Sequence, residues 1–362
     1  MAHAVSLTVI LATMLSASSA WGDALYAPAN SPSGAAVSCL YRMQDELDRT
    51  TAQLSDAYQK IDPIGGSIPS GKRASVILPG TNARERDGVL DEGVLVIHGF
   101  SASAKESQDV ALAISDAGFP VVMALLPGFG SSTKIANAYK YQDWIHAVDS
   151  YVDKMSLCFK KIHLVGFSLG GGLISHLALT NSRLDANGLY QSSRGPLQIK
   201  SLTLLSPYVS TKSPLKDWLS SSLHSQLGVE GLPIETLYAT LMWFNMQDSA
   251  NDLKAMALYP SGFNAELPLA AAGQVKLLGE ELGVISALRS STIPVFLSYS
   301  EADLTVDVNK AFQFVSVHFE SFEPTTDLVV FGKAAKVPHQ IGFKRWNPGF
   351  DRLTNGIVQH MN

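Results

Sequence analysis

The chain has 362 residues, 46% of them apolar and 16% charged, and 27 Lys and Arg against 32 Asp and Glu give a net charge of −5. That composition excludes a disordered chain; without a run of like charges it carries no basic footprint for nucleic acid or an anionic membrane surface. Its two cysteines, Cys39 and Cys158, exclude a disulfide-scaffolded miniprotein and a zinc site built on paired Cys-x-x-Cys clusters. At the N-terminus, residues 4–15 form an uncharged apolar run, followed by the small residues Ser16 to Ala20. Such a run is too short to span a bilayer but fits the apolar segment of a secretory signal, with Ser18 and Ala20 at the −3 and −1 positions before cleavage. The leading Met-Ala-His lacks the usual Lys or Arg, which leaves an N-terminal helix of the mature protein as the alternative. No later stretch is long and apolar enough for a transmembrane span, so export to the periplasm or medium is the expected localisation. In an oxidising compartment Cys39 and Cys158 are able to pair; two buried thiols are the other reading.

Residues 21–35, with Pro28, Pro32 and Gly34, read as an irregular leader. Leu40, Met43, Leu47, Leu54 and Tyr58 recur at helical spacing and predict a helix over 37–60, which Pro63, Gly65, Gly66, Pro69 and Gly71 bring to an end. Strand and helix signals then alternate. Strands are expected at 75–78, 94–97, 120–126, 161–167 and 199–205, with helices over 104–117, 141–155 and 171–180 between them. The run Val94-Leu-Val-Ile97 is continuously apolar, as a strand buried on both faces must be. This spacing of right-handed βαβ crossovers predicts a mainly parallel sheet covered by helices on both sides. From about 210 to 291 the alternation gives way to a helix-like, unusually apolar insertion. It then resumes with a strand at 293–298, a helix over 306–319, a strand at 328–331 and a terminal helix from about Phe350.

Gly166-Phe-Ser-Leu-Gly170 is a Gly-x-Ser-x-Gly pentapeptide between an apolar strand and a small-residue helix. A serine on so sharp a turn needs small neighbours, and the turn lifts its hydroxyl out of the sheet while the helix N-terminus offers amides to a developing oxyanion. The bland alternative is a glycine-rich turn with an idle serine. His98-Gly99-Phe100 closes an earlier strand where a second oxyanion donor is expected, the N–H of Phe100 pairing with that of Leu169. His98 precedes the serine and is read as shaping this loop rather than as a base.

Val94-Leu-Val-Ile-His-Gly-Phe100, Pro127-Gly-Phe-Gly130 and Gly166-Phe-Ser-Leu-Gly170, with later acidic and histidine residues, resemble the α/β-hydrolase superfamily. Within it they are most similar to esterases and monoacylglycerol-lipase-like serine hydrolases. The likeness covers roughly 73–209 and 292–362, leaving 1–20 as signal peptide, 21–72 as an N-terminal extension and 210–291 as an inserted helical cap. That fold orders its triad as serine, acid, histidine. The acid is expected at Asp303, in Tyr299-Ser-Glu-Ala-Asp-Leu-Thr-Val306, where Ser300 replaces the family's glycine; Glu301 and Asp307 are rivals. The base is expected at His339, after the last strand, rather than at His318 or His360, which fall on helices.

The reading is of a carboxylesterase or lipase-like enzyme forming an acyl-enzyme on Ser168. Amidase, thioesterase or peptidase chemistry with the same residues, or a non-catalytic binding role, are the alternatives. No cofactor or metal is implied, since the glycines match neither a Walker A nor a dinucleotide fingerprint. Expected partners are a small-molecule or lipid ester and no nucleic acid. In the insertion, Leu237, Leu241, Met242, Trp243, Phe244 and Met246 either line an acyl pocket or pack the cap onto the core.

Overall fold

The computed structural model describes residues 34–79, 85–86, 89–212, 228–243, 250–251, 253–285 and 289–362. The expected signal segment at 1–20, and Phe244 and Met246 of the insertion, lie outside the described residues. The strands, in chain order, are β1 (Ser75–Ile77), β2 (Glu85–Arg86), β3 (Val89–Leu90), β4 (Glu92–Ile97), β5 (Val121–Met123), β6 (Lys161–Phe167), β7 (Leu189–Ser192), β8 (Gly195–Leu205), β9 (Gly231–Pro233), β10 (Glu266–Pro268), β11 (Val295–Ser300) and β12 (Leu328–Phe331). Eight of them form the central sheet in the order β1-β5-β4-β6-β8-β11-β12, with β7 hairpinned onto β8. All pairs from β5 to β12 along this path are parallel, and β1 and β7 join antiparallel.

The apolar runs are continuous because the sheet has a core on each face. Along β4, Leu95 and Ile97 point into one cluster and Val94 and Val96 into the other, all at most 1% exposed. Leu164 and Val165 divide in the same way on β6. One face is covered by α1 (Gly34–Ile61), α4 (Tyr141–Met155), α5 (Leu169–Thr180), α8 (Leu269–Ile285) and α9 (Val308–His318). The other is covered by α2 (Gln108–Asp116) and α10 (Phe350–Met361), through Val110, Ile114, Leu353 and Ile357. A one-turn helix α3 (Thr133–Ala136) lies between β5 and α4.

α1 begins two residues inside the stretch read as irregular and reaches the core through Leu40, Met43 and Leu47. It is bonded to the molecule covalently: Cys39 and Cys158 form a disulfide, Cα–Cα 5.7 Å, which ties α1 to the turn after α4. In the insertion, the described residues depart from the all-helical expectation. They form α6 (Ile234–Trp243), α7 (Lys254–Leu258) and α8, together with the two-stranded antiparallel ribbon β9–β10. The hairpin β7–β8 was also absent from the sequence reading; it turns through Gly195 at φ +120°, a conformation open to glycine. Among the described residues no helix is long and apolar enough to cross a membrane.

Candidate active site

β6 runs into Ser168 and α5 leaves it at once, so the chain must reverse within one residue. Ser168 takes φ 49° and ψ −113°, outside the ordinary L-residue regions. Its backbone is over-determined: the N–H donates to Leu205 O (2.9 Å), and the carbonyl accepts from Gly172 N (3.1 Å) and Tyr208 N (2.9 Å). The flanking glycines answer a close approach. A Cβ at Gly166 would lie 2.5 Å from the Gly170 carbonyl group, and one at Gly170 would lie 2.3 Å from Ile97 O. That second contact is what brings the first turn of α5, with the N–H of Leu169, against the loop after β4.

That loop is held rigidly. His98 is fully buried; its Nε2 accepts from Leu126 N (3.0 Å), so its Nδ1 carries the proton and donates to Gly99 O (2.7 Å). Burial drops its pKa to about 4, and it stays neutral. Because the peptide is planar and trans, fixing the Gly99 carbonyl fixes the opposite direction of the Phe100 N–H. Phe129 sets its ring edgewise to both His98 and Phe100 (centroids 5.7 Å) and stacks on Trp144 (5.3 Å). The reading of His98 as a loop-shaping residue matches these bonds.

Asp303 follows β11 and is 0% exposed. Its Oδ1 accepts from Thr305 N (2.8 Å) and Val306 N (3.0 Å), which leaves Oδ2 for His339 Nδ1 at 2.7 Å. His339 Nε2 lies 2.8 Å from Ser168 Oγ. With Nδ1–H directed at the carboxylate, Nε2 is the acceptor for the serine proton. Ser300, the departure from the family's glycine, donates its hydroxyl to Val337 O (2.7 Å) and ties the loop carrying Asp303 to the loop carrying His339. The Lys212 ammonium donates to the Asp303 carbonyl.

The rival residues are occupied elsewhere. Asp307 caps α9 by accepting from Lys310 N (3.1 Å), and Glu301 accepts from Lys333 N (3.1 Å). His318 faces Arg289 O (3.0 Å), and His360, on α10, lies 3.6 Å from Asp327. Ser168, Asp303 and His339 are thus brought together, with Leu169 next to the serine at the start of α5 and Phe100 on the loop after β4.

Of the expected pocket residues, Leu241, Met242 and Trp243 lie on α6, and Phe244 lies outside the described residues. Trp243 is 86% exposed and lines an open groove with Glu235, Thr236, Ala239 and Thr240, none of which belongs to the serine site. Met242, 44% exposed, borders a cavity of about 420 Å³ with Tyr238, Ala302 and Leu304, while Leu237 and Leu241 are half-buried. The stripe is expected either to line an acyl pocket or to pack the cap onto the core, and in α6 the described residue buried most deeply is Ile234, at its start. Two side chains were missed by sequence reasoning. Tyr58 of α1 accepts from Gly128 N (2.6 Å) and so braces the Phe129 loop, and Glu106, 4% exposed, accepts from Gly99 N (2.6 Å). Tyr58 sat on a recognisable apolar stripe; Glu106, within Ala-Lys-Glu-Ser-Gln-Asp, had no local signal.

A model of the alpha/beta hydrolase fold matches residues 93–270, just under half of the chain. The chain has the α/β-hydrolase fold. Among solved structures, the chain resembles a monoglyceride lipase from Saccharomyces cerevisiae (TM-score 0.54, 15% identity, 80% of this chain and 91% of that one). It likewise resembles a monoacylglycerol lipase from Paleococcus ferrophilus (TM-score 0.52, 16% identity, 79% and 98%). By sequence it is 29% identical over 86 residues to a thermostable monoacylglycerol lipase from Bacillus sp. (strain H-257), a match to 24% of this chain. The chain spans about a third of the length of that relative. The likeness to monoacylglycerol lipases carried by the motifs is thus found again in that sequence match.

Proposed function

We propose that this α/β hydrolase is a serine hydrolase that cleaves carboxylic esters through an acyl-enzyme on Ser168. The observation that carries the reading is the unbroken line from Asp303 Oδ2 through His339 to Ser168 Oγ, with separations of 2.7 and 2.8 Å. His339 takes the serine proton as Oγ attacks the carbonyl carbon. The amides of Leu169 and Phe100 receive the oxyanion, and Asp303 holds the imidazole in its Nδ1–H tautomer and stabilises the imidazolium. His339 then protonates the departing alcohol and activates the water that releases the acid. Every step uses side chains and backbone amides of this chain.

The relatives' lipase names favour esters over amides or thioesters, with a small-molecule or lipid ester as substrate. Between the cap helix α6 and the loop of Asp303 lies a cavity bordered by Met242, Tyr238, Ala302 and Leu304 and by the charged Lys254, Glu301 and Lys333, close to the acid but not lined by the triad itself. Its volume of about 420 Å³ falls in the range of small-molecule sites. Export, the localisation proposed from residues 1–20, is supported by the Cys39–Cys158 disulfide, since such bonds persist in oxidising compartments. Labelling with a fluorophosphonate probe tests the nucleophile: the wild type should label and Ser168→Ala should not, and an unlabelled wild type would overturn the reading. A panel of p-nitrophenyl esters graded by acyl length, set against anilides, separates ester from amide chemistry.

A further inference from the structure

Gly99 is gripped at both ends. Its carbonyl accepts from His98 Nδ1 (2.7 Å) and its N–H donates to Glu106 Oε2 (2.6 Å). Glu106 comes from the short 3₁₀ turn 104–107 that leads into α2, and it reaches under the loop after β4. A buried carboxyl in an apolar interior is costly unless something needs it there. Here the group it serves is the residue immediately before Phe100. The side chain is packed closely, since a Cβ at Gly99 would approach Glu106 Oε2 to 3.1 Å and the Phe167 ring to 2.9 Å.

A second observation places the same carboxyl between the two halves of the site. Glu106, Ser107 and Gln340 line one small cavity of about 10 Å³, walled by Val96, Val165 and Phe167. Ser107 Oγ and Gln340 Oε1 are buried with no hydrogen-bond partner among the described residues. The space suits one water, and three polar groups are enough to hold it. Gln340 adjoins His339, so Glu106 faces the base loop as well as the oxyanion loop.

We propose that Glu106 is a positioning residue for the reaction: it fixes Gly99 so that the Phe100 amide is aimed before substrate arrives, and it couples that loop to the loop of His339. The inference rests on the serine-hydrolase reading of the site. Burial favours the neutral acid and pushes its pKa up to about 8, with the Gly99 N–H and the charge on His339 pulling the other way. Apart from Glu106 itself, no residue lining the cavity bears a charge. As a neutral acid Glu106 accepts from Gly99 through its carbonyl oxygen. Once ionised it would set a negative charge one residue from the amide that receives the oxyanion, opposing the transition state.

The test compares wild type, Glu106→Gln and Glu106→Leu. Glutamine reproduces the neutral acid in shape and acceptor, whereas leucine removes the acceptor. With a p-nitrophenyl ester, Glu106→Leu should lose about 10- to 100-fold in kcat with KM within about twofold, the pattern of an interaction realised in the transition state. Its affinity for a trifluoromethyl ketone, which forms an oxyanion on the serine, should fall by the same factor. Glu106→Gln should stay within about threefold of wild type and lack the decline in kcat expected of wild type as pH rises through about 8. Amide hydrogen exchange at Gly99 and Phe100 reads the positioning without any activity: faster in Glu106→Leu, unchanged in Glu106→Gln. A leucine variant with wild-type kcat and unchanged exchange, or a glutamine variant as impaired as leucine, would overturn the proposal. Altered exchange in a protein that never labels at Ser168 would instead condemn the parent reading alone.

Discussion

Ser168 occupies a backbone region that costs an L-residue about 1–3 kcal/mol, and only contacts that fix both its N–H and its carbonyl keep it there. Its neighbours Gly166 and Gly170 are what a serine so placed demands, so the pentapeptide was legible as a local rule. Asp303 was legible only through spacing, and the structure gives the reason to separate it from Asp307. Asp303 is wholly buried with both oxygens engaged, whereas Asp307 is an exposed-side N-cap. Asp303→Asn should therefore cost about 10³–10⁴ in kcat, because an amide facing Nδ1 favours the wrong imidazole tautomer. Asp307→Asn keeps a capping oxygen and should leave kcat within about twofold and stability within about 0.5 kcal/mol. Steady-state kinetics on the two variants decide the matter; full activity in Asp303→Asn with loss in Asp307→Asn would reverse the assignment. Glu106 escaped the sequence reading because its burial is a tertiary fact. A charged residue between Lys105 and Ser107 reads as solvated until the loop after β4 is known to lie above it.

At the scale of elements, the parallel strands were legible because burial on both faces removes polar positions, and α1 because its apolar residues recur every three or four. What α1 is for was not legible. It brings Tyr58 to Gly128 and is clamped by a bond to Cys158, 119 residues away. Closing so long a loop in the unfolded chain predicts that the Cys39→Ala, Cys158→Ala double variant loses about 2–5 kcal/mol of stability, measured by urea unfolding. An unchanged midpoint would mean that α1 is held by its packing alone. The insertion was the least legible element, since a uniformly apolar stretch gives no period from which to tell the inward face. There α6 presents Met242 and Trp243 outward. Trp243→Ala should accordingly leave kcat/KM for short p-nitrophenyl esters within about twofold, and a loss above tenfold would show that this ring reaches the substrate.

For the whole molecule, a few buried ionisable groups set the response to pH, and they act in opposite directions. His98 is neutral in the fold, its pKa lowered by burial to about 4, and His360 is lowered by burial as well. An unfolded chain binds protons at these histidines near pH 6.5, so they cost stability as pH falls from about 6.5 toward 4. Glu92 adds to the acid side: the hydrogen bond from His163, helped by Lys200, lowers its pKa to about 2. Its contribution is present above the unfolded value near 4.5 and is lost as pH falls below it. Glu106 runs the other way, since the unfolded chain releases this proton near pH 4.5 while the fold holds it to about 8, and stability falls as pH rises through that window. Between about pH 4.5 and 6.5 the slopes of His98 and Glu106, each about 1.4 kcal/mol per pH unit, oppose and cancel. The expected unfolding free energy therefore rises only gently across that interval, through His360, declines by about 2 kcal/mol from pH 6.5 to 8, and declines again below pH 4.5. In Glu106→Gln the alkaline decline should vanish and the curve should rise from pH 4 to 6.5, the histidine term now standing unopposed. Urea unfolding at a series of pH values reads both curves. A wild-type stability that climbs steadily through pH 8 would mean that Glu106 is already ionised within the fold, and that the loop beneath Phe100 is wetter than its geometry allows.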